Sequence, residues 1–340
     1  MMREIDLSNY HIRTDLITDI ISQKRFKGIT EKIIKIDGLK VSNVLVNDEG
    51  SKLINKKRGC YTTIFFDDVT DANNQKKLIN VFTKELLKIL KYCTISEHAS
   101  CLIIGLGNYK STPDSLGPLI FNNLIVTRHI YILTGSLEEG YRITSGLSPN
   151  VMGNTGIETK DIILGVVEKI KPDFIIAVDA LASDSLDRVN KTIQISNTGI
   201  HPGSGVGNKR EEISQEKLGI PVIAIGIPTV VDASTIVFDT INYMTKHFSY
   251  NIKNNDNPKL KFIPSYMQNY LSADNLTNDE RKIFLGLVGT LSNIEMKSLL
   301  LEVLTPIGYN LMVTPKEIDF VIEKLSNVIA NGINKALHNI

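Results

Sequence analysis

Three short apolar runs, Cys101 to Leu106, Phe174 to Val178 and Pro221 to Ile227, constrain the fold of this chain more than any other feature. Each is too short for a helix and too continuously apolar for a strand with one wet face, so each reads as a strand buried on both faces. Between the first two, Thr155 and Glu158 fit a capping box, and Ile162, Ile163, Val166, Val167 and Ile170 form one apolar stripe that Pro172 ends. Leu78, Val81, Phe82, Leu86 and Ile89 give a second helix over Ala72 to Leu90. Further strands are expected at Leu39 to Val46, Tyr61 to Phe66, Ile130 to Leu133 and Thr192 to Ile195. The alternation predicts an α/β fold, a mainly parallel sheet flanked by helices in three layers.

The ends of the chain are less regular. Residues 1 to 60 are polar and weakly periodic, and residues 249 to 261 read as a surface loop. Near the end, Thr314, Pro315 and Glu317 suit N-cap, N1 and N3, followed by a stripe of Ile318, Val321, Ile322, Leu325, Val328 and Ile329. With 42% hydrophobic residues in 340, the chain can bury a sizeable core, and a net charge of +1 gives no global case for nucleic acid or an anionic membrane. No apolar stretch reaches the roughly 18 to 20 residues that span a bilayer, and the polar start is no secretory signal, so a cytoplasmic location is expected. Cys60, Cys93 and Cys101 lack CxxC spacing and read as reduced, mostly buried thiols.

Three loops can carry chemistry. GLGNYKSTPDSLGP at 105 to 118 follows a strand, and its Asp114 is either a helix cap or a functional carboxylate. DFIIAVDALASD delivers Asp179 at the carboxyl end of a buried strand, the edge where parallel α/β sheets bind ligands. A carboxylate there needs a partner or a raised pKa. ISNTGIHPGSGVGNKR at 195 to 210 combines four glycines with His201, Lys209 and Arg210 and suits backbone or anion binding as well as a plain solvent loop. GxGxxG fails at Lys110, no Walker GK[ST] occurs, GxSxG fails because Pro202 precedes Ser204 by two, and HExxH is absent. The aspartates Asp114 and Asp179 remain. Brought close, two carboxylates divide into an acid and a base toward water, or hold a divalent metal with His201 as a supporting ligand.

At these loops the sequence resembles the germination protease family, spore endopeptidases that begin the degradation of small acid-soluble spore proteins. The resemblance rests on STPDSLGP at 111 to 118, GNTGIETKDI at 153 to 162, PDFIIAVDALA at 172 to 182, SNTGIHPGSGVGNKR at 196 to 210, LGIPVIAIGIPTVVDAST at 218 to 235 and LTPIGYNLMVTPKEID at 304 to 319. It implies an atypical aspartic endopeptidase with the catalytic pair Asp114 and Asp179, on a fold similar to hydrogenase maturation proteases. It also implies a zymogen that cuts itself between Asp15 and Leu16, so that residues 1–15 are a propeptide and 16–340 one peptidase domain with a polar insertion near 251–282. A homotetramer in the spore core is expected, with spore proteins as substrates, no nucleic-acid or membrane partner and no cofactor, a divalent metal being the variant left open. By composition alone, residues 9 to 20 are an unremarkable flexible terminus. Residues 20–60 and 251–282 fit loosely, and Ser115 stands where alanine is expected. Two other classes compete: a phosphorolytic or hydrolytic enzyme of nucleoside phosphorylase type on a similar sandwich, and a noncatalytic oligomeric binding protein.

Overall fold

The computed structural model describes residues 15–21, 26–203, 211–254, 270–304 and 311–339. Contacts divide the chain into two compact units, a larger one of Arg13–Ser183, Asp187–Val230 and Thr314–Ile340, and a smaller one that includes Asp184–Leu186 and Val231–Val313. The strands are β1 (Ile29–Ile36), β2 (Leu39–Val46), β3 (Gly59–Phe65), β4 (Cys101–Gly105), β5 (Thr144–Leu147), β6 (Phe174–Ser183), β7 (Thr192–Ser196), β8 (Val222–Asp232) and β9 (Met312–Val313). The helices are α1 (Ile17–Ile21), α2 (Asp48–Ile54), α3 (Ala72–Tyr92), α4 (Leu116–Asn122), α5 (Arg128–Thr134), α6 (Met152–Thr155), α7 (Thr159–Ile170), α8 (Gln215–Leu218), α9 (Ala233–Asn254), α10 (Asn278–Leu285), α11 (Asn293–Leu304) and α12 (Ile318–Leu337).

In the larger unit the strands lie in the order β1-β2-β3-β7-β8-β6-β4-β5. The three apolar runs became β4, β6 and β8, in the middle of the sheet, because their side chains have no wet face to offer. β4 pairs in parallel with both β5 and β6, whereas β8, β7, β3, β2 and β1 follow one another antiparallel. Helices cover both faces. On one, Leu78, Phe82 and Leu86 of α3, Leu116 and Ile120 of α4, and Ile322, Leu325 and Ile329 of α12 pack on Ile103, Ile176 and Val178. On the other, Ile163 and Val167 of α7 pack with Leu102, Ile104, Ile175 and Ala177.

Several local expectations need correction. Ile130 to Leu133, expected as a strand, is helix α5, and all four residues stay exposed. A short apolar run carries no period of its own, so with no neighbour to pair with it the backbone closed its own hydrogen bonds. Thr155 does not cap α7: it ends α6, its hydroxyl accepts from the Ile157 amide at 3.2 Å, and Glu158 holds the cap position. Thr314 donates to the Thr229 carbonyl at 2.8 Å instead of capping α12, which starts at Ile318. The expected loop from 249 begins as the last turns of α9, through Asn254, and residues 255–261 lie outside the described residues. In the polar N-terminal part, β1 and β2 form a hairpin whose turn residues Asp37 and Gly38 have φ of 51° and 87°, the type I′ geometry that Asp-Gly favours.

In the smaller unit, Val231 and Asp232 at the end of β8 pair with Val313 and Met312 of β9, and α9 starts at once on the Asp232 carboxylate, which accepts from the Ser234 amide at 2.8 Å. Thr277 and Glu280 build a capping box at α10. Lys297 of α11 donates to Asp184 at 2.6 Å and lies over the Phe238 ring at 4.7 Å, so this buried ion pair joins three separate stretches of chain.

Candidate active site

The strand β4 ends at Gly105, opposite Val178 of β6, and the Leu106 amide still donates to the Val178 carbonyl at 2.8 Å. Asp179 is therefore level with Leu106, at the point where β4 gives way to its loop. Side chains alternate along β6, so Asp179 shares a face with Ile175, Ala177 and Leu181, three members of the second core cluster. It is 4% exposed, and its Oδ1 accepts from the Ala180 amide at 3.0 Å.

The loop after β4 folds straight back on the strand end. Gly107 has φ of 114°, and the Asn108 amide donates to the Asp114 carbonyl at 2.9 Å. A Cβ on Gly107 would lie 2.0 Å from that carbonyl oxygen and 3.1 Å from Asp114 Oδ1, so Asp114 sits directly against the residue after Leu106. Thr112–Asp114 is a single 3₁₀ turn, pinned by Thr229, whose hydroxyl donates to the Pro113 carbonyl at 2.7 Å. Ser115, not Asp114, occupies the cap position of α4. The loop after β5 joins here too, since Asn154 donates to Asn108 Oδ1 at 3.1 Å. The two aspartates singled out in the sequence thus follow neighbouring parallel strands and lie at the same edge of the sheet, Asp179 at the end of β6 and Asp114 in the loop folded onto the end of β4.

His201 stands apart from them. Its ring is more than half exposed, and Nε2 faces Glu212 Oε2 at 3.6 Å beside the Ile200–Ile213 bridge; Glu212 is also paired with Lys57. Among the described residues no three His, Cys, Asp or Glu side chains gather as a metal set, so the donors present do not fit a divalent ion held by Asp114, Asp179 and His201. The cysteines behave as small apolar groups: burial raises the thiol pKa of Cys60, Cys93 and Cys101 above its ordinary value. A cleft of 1010 Å³ lined by Asn47, Arg58, Tyr92 and Asn197 opens at the start of β3 and contains neither aspartate.

The structure overturns the reading of residues 15 to 20 as an ordinary loose end; residues 9–14 lie outside the described residues. The Asp15 amide donates to the Ala182 carbonyl at 3.2 Å, and Asp15 Oδ2 accepts from the Ala182 amide at 3.1 Å. Leu16 and Ile17 are fully buried, Leu16 in the same cluster as Leu106, Ala177 and Leu181. Asp19 pairs with Arg188 and accepts from Ser183 Oγ at 3.2 Å, and burial lowers the Arg188 pKa to about 10. The Asp15–Leu16 bond thus lies against β6, three residues beyond Asp179. Gln194 and Lys56, which the sequence reading missed, hold this segment: both donate to the Asp15 carbonyl at 3.3 Å. A signal existed in β7, whose Thr192, Gln194 and Ser196 alternate with Ile193 and Ile195 although all five are buried. A buried polar face on a strand implies polar chain laid across it.

The sequence model of the germination proteases matches residues 12–340. The germination protease of Bacillus licheniformis is 51% identical, with 99% of this chain and 96% of that protein covered. Those of Priestia megaterium and Bacillus subtilis are both 49% identical, covering 100% and 98% of this chain and 97% and 95% of theirs. Among solved structures, the [NiFe] hydrogenase maturation protease HycI of Thermococcus kodakarensis matches 43% of this chain and 80% of its own at 18% identity, with a TM-score of 0.27. Full-length identity near one half to proteins of one kind leaves a single assignment: the chain belongs to the germination protease family and is a peptidase.

Proposed function

We propose that the chain is a self-processing aspartic endopeptidase that opens the degradation of small acid-soluble spore proteins during germination. The observation that carries this reading is the arrival of Asp114 and Asp179 at adjacent ends of β4 and β6, with the Asp15–Leu16 bond docked on the same strand as Asp179. One carboxyl keeps its proton because two neighbouring carboxylates cannot both ionise cheaply. The ionised partner takes a proton from water as it attacks the peptide carbonyl, and the protonated one delivers its proton to the leaving amine. No metal enters this scheme. The extended pairing of Asp15 with Ala182 supports an acidic residue before the cut and Leu16 supports an apolar one after it, a preference that spore-protein substrates would share. Loss of residues 1–15 marks the passage from zymogen to mature enzyme, in a homotetramer within the spore core.

The test uses intact-mass measurement of the full chain and of a spore-protein peptide incubated with it. Asp114→Asn and Asp179→Asn chains should fold, keep residues 1–15 and leave the peptide whole. Full activity in either variant removes that residue from the mechanism.

A further inference from the structure

The carbonyl oxygen of Asp15 receives two side-chain donors, Lys56 Nζ and Gln194 Nε2, each at 3.3 Å. The Gln194 amide does more than donate. Its Oε1 accepts from the Ile17 amide at 2.8 Å, so one side chain spans the Asp15–Leu16 bond from the carbonyl before it to the second amide after it. Gln194 is only 8% exposed and sits on the face of β7 that the N-terminal segment crosses. From the other side, Ala182 fixes the Asp15 amide and carboxylate. A bond that needed only to be anchored requires no pair of donors converging on its carbonyl.

We propose that Lys56 and Gln194 are catalytic residues of self-processing, an oxyanion-stabilising pair for the Asp15–Leu16 bond. The inference rests on the self-processing reading above. Water adds its oxygen to the Asp15 carbonyl carbon, and the π electrons of the C=O bond move onto the oxygen facing Lys56 and Gln194. When the C–N bond breaks, the carbonyl re-forms, Asp15 keeps the hydroxyl as a carboxylic acid, and the other proton of water ends on the Leu16 amine. Both donors stand longer than the roughly 2.7–3.1 Å expected of a charged oxyanion, so they tighten as charge develops, the condition under which a hydrogen bond accelerates a reaction rather than merely binding the ground state. Burial lowers the Lys56 pKa below the usual lysine value and the Asp15 carboxylate works against that, so little bulk water competes for this donor.

The experiment follows the mass of the freshly purified full chain over time, together with hydrogen exchange at the Ile17 amide. Gln194→Glu keeps the acceptor for Ile17 but removes the donor to Asp15, and Lys56→Met removes the cationic donor. Each should slow release of residues 1–15 by about 100-fold, the effect of losing one oxyanion donor, while Ile17 stays protected. Lys56→Arg should recover part of the loss. Cleavage at the wild-type rate in Gln194→Glu and Lys56→Met overturns the proposal while leaving self-processing intact. So does slow cleavage accompanied by loss of Ile17 protection, which means an anchoring role only. A wild-type chain that never releases residues 1–15 overturns the self-processing reading as well.

Discussion

Replacing Gly107 by alanine tests whether the loop after β4 holds Asp114 by backbone packing. The added Cβ would stand 2.0 Å from the Asp114 carbonyl oxygen. An ordinary carbon–oxygen contact is about 3.3 Å, so the carbonyl has to move by about 1.3 Å. That breaks the 2.9 Å bond from the Asn108 amide, worth about 1 kcal/mol, and the φ of 114° adds about 1–3 kcal/mol of backbone strain for a residue with a side chain. The expected loss of stability is about 2–4 kcal/mol, or about 4–8 °C in Tm at about 2 °C per kcal/mol for a chain of this size. Under the proposed two-aspartate mechanism, displacing the Asp114 carboxylate by about 1 Å should cost about 100-fold in rate. The assay is kcat/KM on a peptide with an Asp-Leu bond, alongside thermal unfolding by circular dichroism. Gly165→Ala is the control, because nothing lies within 4 Å of a Cβ there, and it should leave both measurements within error or raise Tm slightly. A Gly107→Ala enzyme with wild-type kcat/KM and Tm would show that this loop does not position Asp114 in the way described.

Other perturbations report on neighbouring parts. Leu16→Ala empties a fully buried site and should cost about 2–5 kcal/mol, read as earlier protease nicking near residue 15 and a lower urea midpoint. Lys297→Met leaves Asp184 buried beside Asp232 and should cost about 3–5 kcal/mol; the double change Asp184→Leu with Lys297→Met should recover most of it in urea titrations, since burial raises the Asp184 pKa despite its partner. His338 is buried against the Ile125 carbonyl and the Arg142 amide, and burial holds its pKa below 6.5. The unfolded chain then takes up the proton more readily, so this contribution to stability is complete above about pH 6.5 and declines as pH falls, by at most about 1.4 kcal/mol per pH unit. Urea unfolding at pH 7.5 and 5.5 should show a smaller difference in His338→Phe than in the wild type.

Much of the architecture was legible in the sequence, because burial writes itself into local pattern. The central strands β4, β6 and β8 could be read from unbroken apolar runs, and α3 and the stripe of α12 from their 3.6-residue spacing. Asp114 and Asp179 stood out because each follows such a run into a loop. Legibility failed where a segment has no period. Ile130 to Leu133 has strand composition but helical structure, and the β1 strand went unread although Asp37-Gly38 marks its hairpin.

The sequence by itself determined which stretches are too apolar to face water, and therefore which loops must emerge at the sheet's edge. Only the tertiary structure decided what those loops meet. Strand order places β4 beside β6 across about 70 residues of chain, and so sets Asp114 against the end of Asp179's neighbour. It also lays Asp15 to Asp19 over β6 and β7, where Lys56, Ala182, Arg188 and Gln194 converge. Such partners are 40 to 180 residues apart; the buried polar positions of β7 mark that chain crosses it, but which residues meet there follows from which hydrogen bonds remain unmade after the sheet has assembled.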